Sequence, residues 1–454
     1  MTSGLTGILY ASIEMCRRLE EAGHQITYAS PSDVKQRVTA SQLDYVQLTA
    51  LQEIHASVVP NLEGRSKWAK LWYRIKNRKK LRQLAIEQLQ MDNFGAILDQ
   101  LAPDLVVIDL ELHPHIMAVF AKGIPLVLLS QWFTIWNNKG TPPLSRSTIP
   151  NIGWKGSNLG LKWAWRKIKV ERYLKFSKIR LFSIGLDRRS VLRQYARQVG
   201  FPLKYIRENY WPGPFTYSTL PVISITIEQM EFPHKKRPNL HYVGAMINHL
   251  RNNENLASNE SQLEYIFRLR KEKNKKLIYC SVSSMKAGDQ LFLEKLLKSV
   301  KKNTDWLLII SLGGKLKQND FSKVPRNVYL FSWVSQVQVL SEADCSINHG
   351  GIHTINECVY FKVPMLVYSG KKADQNGCAA RIHYHQLGIM ADKDQDRPEE
   401  ITKKIEEVLR NPVYKANLEK MNKVYHSYIE ERQLEHLVSY YLDLEKLDGG
   451  MLKK

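Results

Sequence analysis

An imidazole, two glycines, a hydroxyl and a carboxylate fall in one short window: His349, Gly350, Gly351, Thr354 and Glu357. An apolar run, Ala343 to Ile347, precedes them and reads as a strand, and a helical pattern follows. Strand, glycine turn and helix N-terminus together make an anion site. Backbone N–H groups point outward there, and the helix dipole favours negative charge. The glycines let an anion approach the main chain closely. Thr354 and Glu357 are three residues apart and share a helix face. Trp333 and Gln336 stand upstream of this window. Asp374 and Gln375 stand downstream, beyond a second apolar run from Val363 to Tyr368. Singly, each residue has a plainer use: a turn histidine, a core tryptophan, a solvated Asp-Gln. The ordered set is what points to a ligand.

That order and spacing resembles the donor-binding signature of the UDP-dependent glycosyltransferases of the GT-B fold, among them plant, bacterial macrolide and carotenoid enzymes. The resemblance implies an α/β fold of two Rossmann-like domains facing across a cleft, with a C-terminal helix crossing back. It implies that Trp333 stacks on uracil and that Gln336 lies at the nucleoside. It gives His349, Gly350, Gly351 and Thr354 to the diphosphate, Glu357 to the ribose, and Asp374 and Gln375 to the sugar hydroxyls. The chemistry is consistent: an anion meets donors, a flat base meets an aromatic face, and a polyol meets a carboxylate and an amide. Leu277 to Ser284 resembles the first strand of the family's donor domain, which gives Ser284 to a phosphate; a plain strand-to-turn serine is the equal alternative. Trp306 to Ser311, Pro325 to Val328, Glu231-Phe232-Pro233, Tyr242-Val243-Gly244 and Arg381 also match. No D-x-D sequence stands at a strand end beside the donor motif, so no metal is expected. The UDP-sugar is a co-substrate, and no cofactor is implied.

The length of 454 residues favours two domains over one core. Alternating strand and helix patterns divide the chain into blocks at 1–245 and 262–425, which the resemblance makes an acceptor-binding domain and a nucleotide-sugar domain. A polar, Asn-rich linker at 246–261 joins them, and a helical tail occupies 426–454, the last helix running from about Tyr414 to Leu444. The cysteines (Cys16, Cys280, Cys345, Cys358, Cys378) are scattered, odd in number and without C-x-x-C, which predicts reduced, buried thiols. No run of eighteen apolar residues and no visible signal peptide predict a cytoplasmic protein, peripheral on a membrane at most.

The formal net charge is +22. Two stretches concentrate it, Arg65–Arg82 and Trp154–Arg180, with tryptophans and tyrosines among the cations. That mixture suits an anionic membrane surface presenting a lipophilic acceptor. The plain alternative turns the aromatics inward and leaves the cations as a solvated face. Nucleic acid is not expected, because no recognised nucleic-acid module is present.

The N-terminal domain departs from the family. There, a glycine and a catalytic histidine follow the first strand. Counting back from Gly23-His24-Gln25-Ile26-Thr27 puts Gly7 at the glycine and Ile8 at the histidine. The preceding residues, Thr2 to Thr6, make a poor strand, so the first strand is expected to be short or absent. The base must then come from elsewhere. Asp109, at the end of V-V-I-D-L, matches the family's orienting aspartate. Glu111, His113 and His115 follow it, and Asp109 and His113 are the first candidates. The expected activity is transfer of a sugar from a UDP-glucose-like donor to a hydroxyl of a small or lipophilic acceptor, with inversion. Two other readings stand beside it: a donor-binding partner subunit without turnover, and a sugar-nucleotide epimerase, which the D-Q pair disfavours.

Overall fold

The computed structural model describes residues 1–4, 6–50, 66–209, 213–249, 257–281, 290–314, 316–370 and 374–448. The N-terminal half contributes β1 (Thr27–Ser30), β2 (Asp44–Gln47), β3 (Val106–Asp109), β4 (Leu126–Ser130), β5 (Ile206–Glu208), β6 (Phe215–Tyr217), β7 (Val222–Ser224) and β8 (Leu240–Tyr242). Strands β3, β4, β7 and β8 form one parallel sheet, β1 and β2 another, and β5 and β6 pair antiparallel.

Met1–Ser3 bridge the two parallel pieces. The Thr2 N–H donates to Ala29 O (3.2 Å), and the Asp109 N–H donates to Met1 O (2.9 Å). The expected first strand is thus a short stub wedged between β1 and β3. The helix Thr6–Glu21 starts directly after it.

The C-terminal half contributes β9 (Lys276–Ser281), β10 (Trp306–Ser311), β11 (Val328–Phe331), β12 (Cys345–Asn348), β13 (Met365–Tyr368) and β14 (Gly388–Ala391). All pair in parallel, in the order β11-β10-β9-β12-β13-β14. The sequence runs of V, I, L and C are continuous rather than alternating because helices cover both faces of a parallel sheet. All five cysteines are buried and free. The strand order reverses between β9 and β12. Such a switch point opens a crevice at the carboxyl ends of the two strands, where ligands bind in open α/β sheets.

Two boundaries differ from expectation. Met246 to Asn248 are buried, and the helix Ala257–Glu272 begins inside the stretch read as linker. Met246 joins the apolar cluster of Val243 and Ile247 that of Ala245, so the start of that polar stretch is core; its residues 250–256 lie outside the described residues. The last helix is two, Pro412–Glu430 and Gln433–Asp448, parted at Arg432 with φ of +48°. The first packs on the C-terminal domain beside helix Ile352–Tyr360. The second crosses back, placing Leu434 and Val438 in a cluster with Ile8, Val127 and Ile223.

One buried ion pair joins the halves. Arg381, from helix Gln375–Tyr384, donates Nη2 and Nε to Glu231 Oε2 at 2.5 and 3.1 Å, and both side chains are 1% exposed. Glu231 Oε1 also accepts the Thr134 N–H and hydroxyl, and Arg381 Nη1 donates to Gly377 O. The guanidinium lies 4.6 Å from the ring centres of both Phe133 and Phe232. Removing one partner strands a buried charge. Arg381→Ala should therefore lower unfolding free energy by about 3–5 kcal/mol, read from urea denaturation, while Arg381→Met with Glu231→Leu together should cost much less.

Candidate active site

The predicted donor residues converge on the switch point. At the end of β12 the Asn348 side-chain oxygen accepts the Gly350 N–H at 2.9 Å. Gly350 has φ +80°, and a β-carbon there would press on Gln375 O at 3.0 Å, so the turn requires glycine. Gly351 is the N-cap of helix Ile352–Tyr360, and no side chain caps that helix. Its first N–H groups thus have no side-chain cap, the arrangement an anion needs. The His349 ring lies against Gly351: a β-carbon there would come within 2.8 Å of Nε2.

Behind this turn, Gln336 ties the set together. Its amide donates to Thr354 Oγ1 at 3.2 Å and to the Glu357 carboxylate. Trp333 is 40% exposed, an unusual position for an indole, and its edge packs on Gly314. Asp374 occupies the N-cap position of helix Gln375–Tyr384 without a side-chain cap bond, and burial pushes its carboxyl up to about 6. Gln375 is buried, and its Oε1 has no hydrogen-bond partner among the described residues. A buried amide oxygen left open is costly unless a ligand or water meets it. Ser284 lies outside the described residues, which stop on this strand at Ser281.

The facing wall comes from the N-terminal domain. The loop after β4 reaches over to the donor side: the Gly377 N–H donates to Leu144 O at 2.9 Å, and the Asn376 amide donates to Ser145 O at 3.0 Å. Gln131 Oε1 lies 3.2 Å from Nε2 of His353, on the donor helix. Glu111, at the carboxyl end of β3, accepts the Trp132 indole N–H at 3.1 Å. Its carboxyl is pushed up to about 7, first by burial, then by the Asp109 carboxylate, and also by Asp374 across the cleft.

The expected base positions change in this light. His113 is fully buried, with Nδ1 3.0 Å from the Tyr217 hydroxyl and its ring against Phe215. Burial, then Arg188 and Arg189, pull it down to about 3. An imidazole sealed in the domain core meets no acceptor, so His113 is a packing residue. His115 is equally buried, against Phe94. The proline between them starts helix His113–Ala121, which turns both rings inward. Asp109 stands at the expected strand end but is 1% exposed, its Oδ1 accepting the Glu111 N–H at 3.0 Å. Burial raises its carboxyl too. It can orient its neighbours and cannot touch an acceptor.

Ile8 is fully buried against Val127 and Leu129. The residue that faces the cleft is Gly7, where a β-carbon would lie 3.8 Å from the His353 ring. The helix begins so close behind the stub that position 8, counted to the family's histidine, falls on its buried face. The sequence reading also passed over His353 and Gln131. A second histidine between Gly351 and Thr354 was the only signal, and nothing in the sequence paired it with the other domain.

Comparison with known proteins agrees with this geometry. Residues 294–428 match the family described as Erythromycin biosynthesis protein CIII-like, C-terminal domain. An uncharacterized UDP-glucosyltransferase, YdhE of Bacillus subtilis, is 28% identical over 156 residues, covering 34% of this chain and 39% of its own. Zeaxanthin glucosyltransferase of Pantoea ananas is 26% identical over 180 residues, 39% of each chain. The chain thus spans about two-fifths of the length of these curated relatives. Among solved structures, the kitacinnamycin glycotransferase superposes with a TM-score of 0.65 at 17% identity, covering 98% of this chain and 97% of that one. Glycosyltransferase VinC, solved with dTDP, gives 0.60 at 16% identity, covering 98% of each. The fold is GT-B. Over residues 294–428 the chain is similar to the C-terminal domain of that erythromycin-type family.

Ile8→His, the substitution the family pattern invites, should bury an unsatisfied imidazole rather than supply a base. We expect a loss of at least about 1–3 kcal/mol in thermal or urea unfolding. A variant as stable as the parent would mean that position 8 opens to the cleft.

Proposed function

We propose that this protein transfers a sugar from a UDP-sugar, of the UDP-glucose type, to a hydroxyl group of a lipophilic acceptor, with inversion. The observation that supports it best is the convergence at the switch point: an uncapped helix N-terminus, His349, an exposed indole and an orphaned Gln375 amide. In this reading Trp333 carries the uracil and the Gln336–Glu357 pair meets the ribose. His349, Thr354 and the turn N–H groups hold the diphosphate, and Asp374 and Gln375 hold the sugar. These donors meet the charge that grows on the leaving diphosphate, so the reaction as read needs no metal. The reading uses UDP-sugar only as a co-substrate.

Glu111 takes the proton. The acceptor oxygen forms a new bond to the anomeric carbon as the bond to the UDP oxygen breaks. That electron pair leaves on the diphosphate, and the acceptor proton passes to the Glu111 carboxylate. A carboxyl held near 7 suits this step, since half of it is ionised at neutral pH and its conjugate acid is weak. Asp109 orients it through the backbone of residue 111.

A second reading has its own observation. With Ile8 and His113 both in the core, the chain lacks the family's imidazole, as a donor-binding partner without turnover would. Incubation with UDP-glucose and candidate lipid alcohols separates the two: UDP release marks the transferase, and UDP binding without release marks the partner.

Two sets of variants test the assignments. His349→Ala should weaken UDP binding by about 1.5–3 kcal/mol, the range for a hydrogen bond to a charged group. Gln375→Ala should spare UDP and weaken the UDP-sugar. Calorimetry showing UDP affinity unchanged in His349→Ala would remove the diphosphate role.

Glu111→Gln should cut turnover by roughly 10²–10⁴-fold with UDP binding intact. The parent's rate should rise with pH, reach half its plateau near 7, and lose that limb in the variant. Stability has the opposite sign. A carboxyl raised by folding favours the protonated folded form, so its contribution is lost as pH rises through about 7. Glu111→Gln should gain stability over the parent at pH 8 and not at pH 4. A variant with full activity and an unaltered profile would sink the Glu111 role.

A further inference from the structure

The helix Asn158–Ser183 is apolar on two opposite faces. Leu161, Trp165, Ile168, Phe176 and Ile179 turn toward the domain. Trp165 fixes the helix there by donating its indole N–H to Thr141 O at 2.8 Å. Leu159, Trp163, Val170, Leu174 and Leu181 repeat at spacings of four and seven. At the α-helical rotation they fall within an arc of about 60°, facing away from the domain. They are 69, 62, 52, 54 and 74% exposed. A single exposed leucine needs no explanation, but a stripe along a helix about 39 Å long does.

The same helix carries eight lysines and arginines against one acid, Glu171. Helix Lys67–Lys76 repeats the design: Trp68, Trp72 and Ile75 are 80, 64 and 55% exposed at i, i+4 and i+7, among four cations and no acid. The two meet through helix Arg78–Glu87. Arg82 Nε lies 3.3 Å from Gly185 O, just past the end of the long helix, and Arg82 senses the charge of Arg180.

We propose that this face docks the protein on an anionic lipid bilayer. The helices lie in the interface, with Trp68, Trp72 and Trp163 entering the head-group boundary and the cations meeting anionic lipid. The charge selects this occupant. A second copy of the chain would bring the same unbalanced cations against it. Among the described residues no helix is long and apolar enough to span a bilayer, so the contact is peripheral. Docking is independent of the transfer reading. Its consequence, that the acceptor is drawn from the bilayer, rests on that reading. The geometry joins the two: Trp165 holds Thr141, and the same loop reaches the donor helix through Leu144 and Ser145.

Vesicle co-sedimentation tests the docking without any turnover. We expect partition to vesicles containing phosphatidylserine, little to pure phosphatidylcholine, and release by raised salt. Trp163→Ser with Leu174→Ser should cut partition at least tenfold, and each single Lys or Arg removed should cut it about fivefold. UDP affinity serves as the fold control, since none of these residues lies at the donor crevice. Equal partition to both vesicle types, or to neither, overturns the proposal. So does a concentration-dependent dimer that the double variant dissolves, which assigns the face to a second copy. Salt-sensitive DNA binding without lipid preference overturns it in favour of nucleic acid. If docking holds and no UDP release is seen with any lipid alcohol, the docking stands and the transfer reading fails.

Discussion

The arrangement of the cleft depends on one buried charge pair, Glu231 with Arg381. Each ion carries a desolvation penalty of several kcal/mol, and mutual attraction offsets it only when every remaining polar atom is met. Here the polar atoms are met from both domains. Thr134 closes one carboxylate oxygen, the Gly377 carbonyl closes the guanidinium, and two phenylalanine rings cover its faces. The pair is therefore tolerated at one relative placement of the domains. Thr134 lies on the loop that follows β4, and Gly377 lies in the first turn of helix Gln375–Tyr384, directly after Asp374. Fixing the pair fixes the distance between the N-terminal wall of the crevice and the end of the C-terminal wall that holds Asp374 and Gln375.

Within that frame the two walls divide the chemistry. The C-terminal wall supplies groups that accommodate negative charge: turn N–H groups, a helix N-terminus and an imidazole. The N-terminal wall supplies carboxylates that are reluctant to be charged. Asp109 and Glu111 stand two residues apart at one strand end; burial raises both, and the Asp109 carboxylate raises Glu111 further. The pair costs stability at neutral pH, and that cost gives Glu111 its affinity for a proton. A histidine beside them would have gained charge rather than released it. Glycine at position 7 leaves that space open, and His353 approaches it from the opposite domain.

Much of this was legible in the sequence because the donor side is built from local rules. Strand, glycine turn and helix N-terminus are contiguous, so His349 to Glu357 could be placed by spacing alone. The continuous apolar runs at Trp306–Ser311 and Val363–Tyr368 announced a sheet covered on both faces. The acceptor side was harder because its residues are set by how elements meet. His113 looks like a base in E-L-H-P-H, yet it opens a helix with the proline in its first turn, and its ring is buried in the core. Ile8 was assigned by counting through a strand that is only a stub. The Gln131–His353 contact spans more than two hundred residues, and no pattern within either segment encodes it.

The long helix Asn158–Ser183 shows how composition can hide an arrangement. Averaged around its axis it is neither clearly apolar nor clearly amphipathic, since one apolar stripe opposes the other and cations fill the flanks. Only the coordinates separate the stripe that packs from the stripe that does not. The packed stripe alone would hold the helix in place, so the outer stripe is excess to folding, and an exposed apolar row of that length invites aggregation. The dense cations flanking it repel like copies and favour an opposite charge. On the proposed docking, the same residues would keep the chain from pairing with itself and direct it toward an anionic, partly apolar surface. That surface would lie one hydrogen bond, Trp165 to Thr141, from the loop that closes the cleft. An acceptor leaving such a surface would enter where Glu111 and Asp374 face each other.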